Sequence, residues 1–351
     1  MEPLKTAIVG LGRIASLLED DSLREKPCTH AGAVAASAGC RLVAGADIDA
    51  DRRRLFAERW KVPVYKDAAA MLAGHRPDIL HIATHPDSHY EYCRLAVEYG
   101  VRAAVCEKPL AGSLAKARKI AALHKSGRIR IITNHERRYS ADYIEAAAIL
   151  RENGPDGGSF GESSLGPLLG VNAALYMGKN RRLIDVLWHD GTHLADALMF
   201  LTGSCLSHEK RWGAKLSARS GTAWLAGHLK PLPAGGVHKT AGGSNTVVKE
   251  PVPFVIEAGA GRDHLVFEME FSCERGRLRI GNAVFEVWES APCPYAEKFR
   301  SLKKTRDGFD GPTGYFVNMT ADAAACARNP ALEPRSSALD GLRAIEYLNA
   351  L

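Results

Sequence analysis

Six short apolar runs in the first third of the chain constrain its fold more than any other feature. They are separated by segments with a helical spacing of apolar residues, and in chain order they read KTAIVG, RLVAGAD, VPVY, DILHIAT, VRAAVCE and IRIITN. Short continuous apolar strands joined by helices are typical of a parallel sheet that helices cover on both faces. The pattern over residues 4–133 therefore predicts an α/β domain.

Polar residues that can accept hydrogen bonds from the first backbone N–H groups of a helix precede three of the intervening segments. These residues are Thr29, Asp67 and Ser113. A glycine lies near the end of each segment, and glycine readily takes the left-handed conformation found beyond a helix end. We expect the three helices to end near Gly39, Gly74 and Gly127.

The sequence changes character after residue 133. A stretch rich in glycine and serine at 154–167 predicts a loop, LLGVNAALYM predicts a strand, and RLIDVLWHDGTHLADALMFLTG predicts one long helix that ends at Gly203. Between about 210 and 300, apolar or alternating runs follow one another without a long helix, which predicts a largely antiparallel sheet. We expect two domains, residues 1–133 and 134–351, with the closing helix at 338–350 packing back at the domain junction.

The sequence AIVGLGRIA places Gly10, Gly12 and Ala15 in a Gly-x-Gly-x-x-Ala turn directly after the first strand. In such a turn the first glycine permits a tight bend, and the second lets a pyrophosphate approach the backbone. The small third residue lets a helix pack against the sheet. Backbone N–H groups at the start of that helix attract phosphates. Gly10, Gly12, Arg13 and Ile14 are therefore predicted to bind a dinucleotide, although a crowded turn without a ligand would use similar residues.

The strand RLVAGAD ends in Asp47, whose carboxylate can accept hydrogen bonds from a ribose 2′-hydroxyl. The same negative charge would repel a 2′-phosphate, so NAD is favoured over NADP. The spacing from the glycine turn is longer than usual because SLLEDDSLREKPC has the character of an insertion. The nearby basic residues 52–54 leave some capacity for NADP.

Composition argues against several other classes of protein. The formal net charge of +6 is spread along the chain, whereas nucleic-acid binding requires a concentrated basic face. No apolar span approaches the ~18 residues of a membrane helix, and the N-terminus lacks the pattern of a secretory signal. The eight cysteines show no C-x-x-C spacing and are expected to be reduced core thiols of a cytoplasmic protein.

Several motifs together resemble the glucose-fructose oxidoreductase, inositol dehydrogenase and rhizopine-catabolism (Gfo/Idh/MocA) family. Besides the glycine turn and Asp47, the motifs are IATHPDSHYEYCRLAVEYG, CEKPLAGS, RRYSADY and HDGTHLADALMFLTG. The resemblance implies an N-terminal Rossmann dinucleotide-binding domain and a C-terminal α/β domain with a large open, mostly antiparallel sheet. It also implies NAD(P)-dependent oxidation or reduction of a sugar, polyol or related alcohol, in homodimers or homotetramers formed through the C-terminal sheet.

The run VCEKPL ends a buried strand with Glu107, Lys108 and Pro109. Doubly wound sheets bind ligands at the carboxyl ends of their strands, so Lys108 is predicted to face the nicotinamide end of the cofactor. Proline keeps the lysine out of helical geometry, and the Lys108–Pro109 bond is a candidate for the cis form. The predicted cofactor site also includes five further residues, Thr84, His85, Pro86, His89 and Glu107.

Oxidation of an alcohol needs one group that takes the hydroxyl proton and one that stabilises the charge developing on oxygen. The resemblance implies that Lys108 and His193 handle the proton. The family most often has an aspartate where this chain has His189, so His189 or Asp190 is assigned as the substrate ligand. Asp190 could take the acid role instead if the local backbone is not helical.

Asp185, His189 and His193 are spaced four residues apart, which on one helix face would allow an Asp–His–His relay. In that relay Asp185 would fix the tautomer of His189. Two histidines four apart could also bind zinc, but a single straight helix cannot easily wrap three ligands around one ion. No metal is therefore expected.

Arg138, Tyr176 and Arg182 are candidate substrate ligands, because arginines would suit a carboxylated or phosphorylated sugar. The same residues would also fit an interface or a solvated surface. The main prediction is an NAD-dependent dehydrogenase that acts on a secondary hydroxyl of a sugar, sugar acid or cyclitol. Two alternatives stay open: a lyase or glycosidase that uses NAD to oxidise the sugar transiently, and a non-catalytic NAD-binding sensor.

Overall fold

The computed structural model describes residues 2–152, 165–179, 181–231 and 250–351, so most of the loop predicted at 154–167 lies outside the described residues. The chain divides into two compact units. Unit 1 contains Met1–Ala141 and Pro312–Ile345, and unit 2 contains Asp142–Gly311 and Glu346–Leu351. The second stretch of unit 1 lies far beyond residue 133, where the sequence pattern of the first domain ends.

A six-stranded sheet in the order β3-β2-β1-β4-β5-β6 forms the centre of unit 1. All its neighbouring strands are parallel. The strands are β1 (Leu4–Val9), β2 (Cys40–Ala46), β3 (Val64–Tyr65), β4 (Ile79–Ile82), β5 (Ala103–Cys106) and β6 (Arg130–Thr133). Each strand overlaps one of the six apolar runs, so the predicted parallel sheet is confirmed. Its strand order places the topological switch point between β1 and β4, where such folds bind ligands.

The helices of unit 1 are α1 (His30–Ala36), α2 (Ala50–Trp60), α3 (Ala68–His75), α4 (His89–Glu98), α5 (Leu114–Lys125) and, much later in the chain, α9 (Tyr315–Arg328). The three helices that the sequence predicts, α1, α3 and α5, begin where expected but do not all end there. The side chains of Thr29, Asp67 and Ser113 accept hydrogen bonds from the first turns of α1, α3 and α5. Helix α1 stops short of Gly39, and α3 continues through Gly74 to a left-handed residue at Arg76.

Helix α9, which is absent from the predictions above, packs on the sheet of unit 1. Phe316, Met319 and Ala323 belong to one apolar core together with Val105 and Ile132 of β5 and β6. These helix residues are spaced three and four apart, so they form a single apolar face. The spacing of apolar residues in YFVNMTADAAACAR is therefore the sequence signal of this helix.

Unit 2 is built on an eight-stranded sheet in the order β14-β13-β12-β11-β7-β10-β9-β8. The strands are β7 (Leu168–Met177), β8 (Ser204–Gly213), β9 (Gly221–Pro231), β10 (Val252–Ala260), β11 (Leu265–Cys273), β12 (Gly276–Gly281), β13 (Val284–Pro292) and β14 (Arg300–Asp307). Only β7 and β10 pair in parallel, and the other neighbours are antiparallel. The predicted second sheet is thus confirmed as large and mostly antiparallel.

The two faces of this second sheet differ in burial. On β7, Val171, Ala173 and Leu175 are buried, whereas Asn172 and Tyr176 lie on the opposite and more exposed face. Partner residues on β10 and β11 continue the same alternation across the sheet. We call the more exposed side the open face. It contains a depression of about 450 Å³, and the residues that line it include Asn172, Trp224, Glu257, Glu268, Glu270 and Arg279.

The prediction of one long helix from RLIDVLWHDGTHLADALMFLTG is wrong, because the helix is interrupted at Asp190. The remaining helices are α6 (Ala141–Glu152), α7 (Leu183–His189), α8 (Gly191–Thr202) and α10 (Ala338–Asn349). Asp190 has φ −109° and ψ −27°, and its carbonyl oxygen accepts from the N–H groups of both His193 and Leu194. Gly191, a poor helix former, follows at once. Helix α8 ends at Gly203 with φ 62°, as predicted.

Within the described residues, no helix combines the length and apolar character needed to cross a membrane. All eight cysteines fall in this part of the chain, and no disulfide joins any of them. Six of them are buried.

Candidate cofactor site and the histidine-bearing helices

The carboxyl ends of β1, β2 and β4 border a cavity of about 320 Å³ in unit 1. Gly10 follows β1, Asp47 follows β2, and Thr84 lies just beyond β4. The residues that line the cavity are Val9, Gly10, Ala46, Asp47, Ile48, Arg52, Lys66, Ala68, Ala83, Thr84, His85, Ser88 and Tyr92. The structure therefore brings the predicted glycine turn, acid and threonine together, whereas Lys108 is not among the lining residues.

Gly10 is a position where only glycine fits the turn. Its φ is +82°, and an added Cβ would lie 2.5 Å from the carbonyl oxygen of Ala83 and 2.8 Å from Cγ2 of Thr84. At Gly12, by contrast, the nearest atom to an added Cβ is 3.7 Å away, in the guanidinium of Arg52. The first glycine thus serves the close approach of two loops, and the second leaves its backbone accessible.

The helix predicted to follow the glycine turn directly is displaced along the chain. Ser16 N–H donates to the carbonyl oxygen of Gly12 at 3.1 Å, and a short 3₁₀ helix covers Leu17–Asp20. Helix α1 begins only at His30, after the segment that the sequence marks as an insertion. A phosphate at this turn would therefore meet the N–H groups of a tight turn rather than those of a long helix.

Asp47 is buried and is held by the backbone on both sides. Its Oδ2 accepts from the N–H of Leu11 at 2.7 Å, and its Oδ1 accepts from the N–H of Asp49 at 2.9 Å. A carboxylate has about four acceptor positions, so both oxygens can accept further hydrogen bonds, for example from ribose hydroxyls. Nη1 of Arg52 lies 3.8 Å from Oδ2.

Eight residues of the cavity wall were not identified from the sequence, among them Ile48, Lys66 and Tyr92. Ile48 directly follows Asp47, so its position was available from the chain order. Lys66 follows β3, and Tyr92 lies on α4 one turn beyond His89. For these two, no local pattern distinguishes a cavity residue from a surface residue.

His89, which the sequence predicts to be part of the cofactor site, is fully buried. Its Nε2 lies 3.0 Å from the carbonyl oxygen of Thr84, and its Nδ1 lies 3.2 Å from that of Leu110. Burial lowers the pKa of His89, although these two hydrogen bonds partly oppose that shift. His89 therefore joins the loop after β4 to the loop after β5. His85 is exposed, and Pro86 is buried at the start of the next helical turn.

Lys108 is half-buried in the loop after β5, and its peptide bond to Pro109 is cis. The predicted contact of Glu107 with the cofactor is not supported, because its carboxylate points into the protein. Glu107 Oε1 accepts from His30 Nε2 at 2.8 Å and from Asn134 Nδ2 at 2.5 Å. Oε2 accepts from the backbone N–H of Lys108 at 3.3 Å.

In unit 2 the three residues of the predicted relay, Asp185, His189 and His193, do not lie on one continuous helix. Both carboxylate oxygens of Asp185 accept from Arg182, at 2.7 and 2.8 Å. His189 is exposed at the end of α7, and the break at Asp190 separates it from His193 on α8. The spacing of four residues would align these side chains only on a continuous helix.

Asp190 and His193 both lie at the start of α8 and both are buried. Asp190 Oδ2 accepts from Nη1 of the half-exposed Arg181 at 2.7 Å. Asp190 lies between the last residue of α7 and the first residue of α8, and so belongs to neither helix. His193 is in the first turn of α8, and its N–H donates to the carbonyl oxygen of Asp190 at 3.1 Å.

Two predicted substrate ligands, Arg138 and Tyr176, have protein partners in the structure. Arg138 is only 6% exposed, and its guanidinium contacts Asp340 at 3.2 Å and donates to the carbonyl oxygen of Arg335 at 3.1 Å. Tyr176 lies on the open face of the second sheet, with the guanidinium of Arg262 over its ring. Helix α7 contacts β7 and β10. The apolar residues of these two strands are buried on the face opposite the open face that carries Tyr176.

Comparison with known proteins agrees with this geometry. Residues 4–135 match a family model described as an oxidoreductase family with an NAD-binding Rossmann fold. D-apiose dehydrogenase of Paraburkholderia graminis is 31% identical over 169 residues, which are 47% of this chain and 44% of the relative. D-glucoside 3-dehydrogenase of Escherichia coli is 26% identical over 223 residues, which are 57% of this chain and 54% of the relative.

A solved structure shares the fold over the whole chain. UDP-N-acetylglucosamine 3-dehydrogenase from Acidithiobacillus ferrooxidans superposes with a TM-score of 0.72 at 15% identity, covering 100% of this chain and 97% of that one. In sequence, however, the chain spans about half the length of the curated relatives it matches. Residues 4–135 are thus similar to the NAD-binding Rossmann part of the Gfo/Idh/MocA oxidoreductases.

Proposed function

We propose that the protein is an NAD-dependent oxidoreductase that transfers a hydride between nicotinamide and a secondary hydroxyl of a sugar, sugar acid or cyclitol. One observation carries the proposal: the cavity at the carboxyl ends of β1, β2 and β4, where Gly10 shapes the turn and Asp47 presents its carboxylate. This edge of a doubly wound sheet is the usual place for a dinucleotide. The names of the two curated relatives, a D-apiose and a D-glucoside dehydrogenase, support a sugar as substrate.

The preference for NAD follows from the charge of Asp47. Its carboxylate can accept hydrogen bonds from the adenosine ribose, whereas a 2′-phosphate would bring two negative groups together. Arg52 and Lys66 line the same cavity and would reduce this repulsion. We therefore expect NADP to be used less well than NAD rather than excluded.

Bound nicotinamide would supply the hydride acceptor for alcohol oxidation. The amine of Lys108 would take the hydroxyl proton as general base. His193 is proposed as the second proton-handling group, with Asp190 or His189 as a substrate ligand. Asp190 is the stronger candidate, because it is buried beside a cation whereas His189 is exposed.

Activity toward a panel of aldoses, sugar acids and inositols tests the proposal. The wild-type protein with NAD should form NADH, followed by its absorbance band, with at least one compound. Lys108→Met should lower kcat by about 100-fold, because general acid–base groups contribute 10²–10⁴-fold, while NAD still binds. Binding of NAD without NADH formation across the panel would contradict the proposed reaction.

We also propose that the open face joins copies of the chain into a homodimer or homotetramer. Arg279 there contacts Glu268 at 2.9 Å and Glu286 at 3.0 Å, so the face carries both signs of charge beside tryptophan rings. A face with both charges and rings can complement a second copy of itself. Arg279→Glu should lower the mass measured by light scattering, whereas Arg94→Glu, on a surface helix of unit 1, should not.

A further inference from the structure

A chain of buried polar side chains lies beneath the loop that carries Lys108. His81, on β4, and His30, at the start of α1, are both fully buried, and their Nδ1 atoms are 2.9 Å apart. His30 Nε2 then contacts Glu107 Oε1 at 2.8 Å, and Asn134 donates to the same oxygen. Four polar groups from four separate parts of the chain thus converge in the core of unit 1, where unpaired polar groups are costly.

The protonation of this cluster follows from its hydrogen bonds. Burial alone would raise the pKa of Glu107, but the hydrogen bonds from His30 and Asn134 and the charge of Lys108 outweigh it and lower the pKa. Glu107 is therefore a carboxylate, which can only accept, so His30 Nε2 must carry the donated proton. Burial, with a further contribution from His30, keeps the pKa of His81 well below its usual value, so His81 is neutral.

The cluster does not form a route for protons to the surface. Within the described part of the chain, Nε2 of His81 is buried and has no hydrogen-bond partner. The chain of imidazoles therefore ends in the core. Its other end is Glu107, the residue before Lys108. The cluster can therefore act on how the loop of Lys108 is held.

His30 also belongs to the elements around the dinucleotide turn. Its backbone N–H donates to the carbonyl oxygen of Ile14 at 3.1 Å, and the N–H of Ala31 donates to that of Ala15 at 3.0 Å. His30 is thus fixed by the glycine turn through its backbone and holds Glu107 through its ring. Glu107 in turn accepts from the backbone N–H of Lys108.

We propose that His30 and Glu107 form a buried positioning pair, which fixes the loop of Lys108 against the dinucleotide turn. The inference rests on the proposed function, in which Lys108 handles the substrate proton. Neither His30 nor Glu107 contacts the substrate in this account; both act through Lys108.

A matched set of variants separates this role from general core stability. His30→Asn keeps a polar group where Nδ1 meets His81 but is too short to reach Glu107, whereas His30→Gln places an amide N–H near the position of Nε2. His124 provides the control, because it is a buried histidine of unit 1 that also pairs with a carboxylate, with Nε2 3.0 Å from the partly exposed Glu333 and Nδ1 accepting from the N–H of Ile131. His124→Asn breaks the bond to Glu333 in the same way.

Kinetics with the best substrate of the panel give the first result. His30→Asn should lower kcat by about tenfold or more per folded molecule, since displacement of about 1 Å can cost up to 10²-fold. The KM for NAD should stay within about twofold of wild type, and His30→Gln should recover most of kcat. His124→Asn should lose activity only in proportion to the loss of folded protein. Equal losses per folded molecule in His30→Asn and His124→Asn would overturn the proposal.

Hydrogen–deuterium exchange of the peptide that contains Lys108, read by mass spectrometry, gives a second result that needs no activity. His30→Asn should speed exchange of the Lys108 backbone N–H, which donates to the carboxylate that His30 holds, and His124→Asn should leave it unchanged. Exchange that coincides for wild type and His30→Asn would overturn the proposal. If wild type oxidises no alcohol but the exchange rates separate, the proposed function fails and the positioning pair stands.

Discussion

The carboxylate of Asp47 accepts a 2.7 Å hydrogen bond from the backbone N–H of Leu11, inside the glycine-rich turn. This bond joins the end of β2 to the loop after β1, so Asp47 and the glycine-rich turn form one structural element. A change at Asp47 should therefore affect both the choice of cofactor and the shape of the turn.

Replacing Asp47 with alanine should weaken NAD binding and reduce the preference over NADP. Loss of hydrogen bonds to a charged group costs about 1.5–3 kcal/mol, which is roughly 10- to 150-fold in affinity. Calorimetric titration of both dinucleotides measures the ratio. Asp49→Asn is the control, because Asp49 is a nearby acid that caps α2. An unchanged ratio of NAD to NADP affinity in Asp47→Ala would show that Asp47 does not select the cofactor.

Gly10→Ala should destabilise the protein more than the same change at Gly100. Both glycines have positive φ, +82° and +72°, but only at Gly10 does an added Cβ meet other atoms. The left-handed conformation alone costs about 1–2 kcal/mol, and overpacking adds about 1–3 kcal/mol. Urea unfolding of both variants compares the two costs. Equal unfolding midpoints would mean that the contact with Ala83 can relax freely.

Arg138→Met should lower stability without changing substrate binding. Arg138 and Asp340 form a buried ion pair with side-chain exposures of 7% and 2%, and removal of one partner leaves a buried charge at a cost of about 3–5 kcal/mol. The exposed Arg182–Asp185 pair should be worth about 0–1 kcal/mol. The unfolding midpoints of Arg138→Met and Arg182→Met test this contrast. A raised substrate KM in folded Arg138→Met would restore the substrate role that the structure argues against.

Acid should destabilise unit 2 partly through Glu286. The hydrogen bond from Lys304, assisted by Trp288 and Arg279 against the effect of burial, lowers the pKa of Glu286 to about 2. Since the folded-state pKa is below the usual value of 4.5, this stabilisation is complete above pH 4.5 and is lost as the pH falls towards 2. The thermal midpoint of wild type should therefore drop more between pH 5 and pH 3 than that of Glu286→Gln. Parallel pH curves would contradict this assignment.

The residues that sequence could predict are those whose role is local. Gly10 and Asp47 stand directly at strand ends, and Thr29, Asp67 and Ser113 cap the helices that follow them, so a few neighbouring residues define each role. The apolar runs likewise define both sheets. Strand β14 escaped prediction because its basic residues give RSLKKTRD a polar character, which suits an exposed edge strand.

The residues that sequence could not place are those whose partners are distant along the chain. Glu107 turns inward because His30 and Asn134, 77 and 27 residues away, meet it in the core. The guanidinium of Arg138 forms an ion pair with the carboxylate of Asp340, which lies more than 200 residues later in the chain. The spacing of His189 and His193 gave no sign of the break at Asp190, because a four-residue repeat cannot report whether a helix is continuous.

Hydride transfer to nicotinamide is the central claim, and isotopic labelling tests it most directly. The best alcohol of the panel, deuterated at the carbinol carbon, is incubated with the protein and NAD, and the cofactor is then analysed by mass spectrometry. The account predicts that each NADH formed carries one deuterium from the substrate, and that Lys108→Met forms it far more slowly. Product formed while the cofactor stays unlabelled and the deuterium appears in water would contradict it.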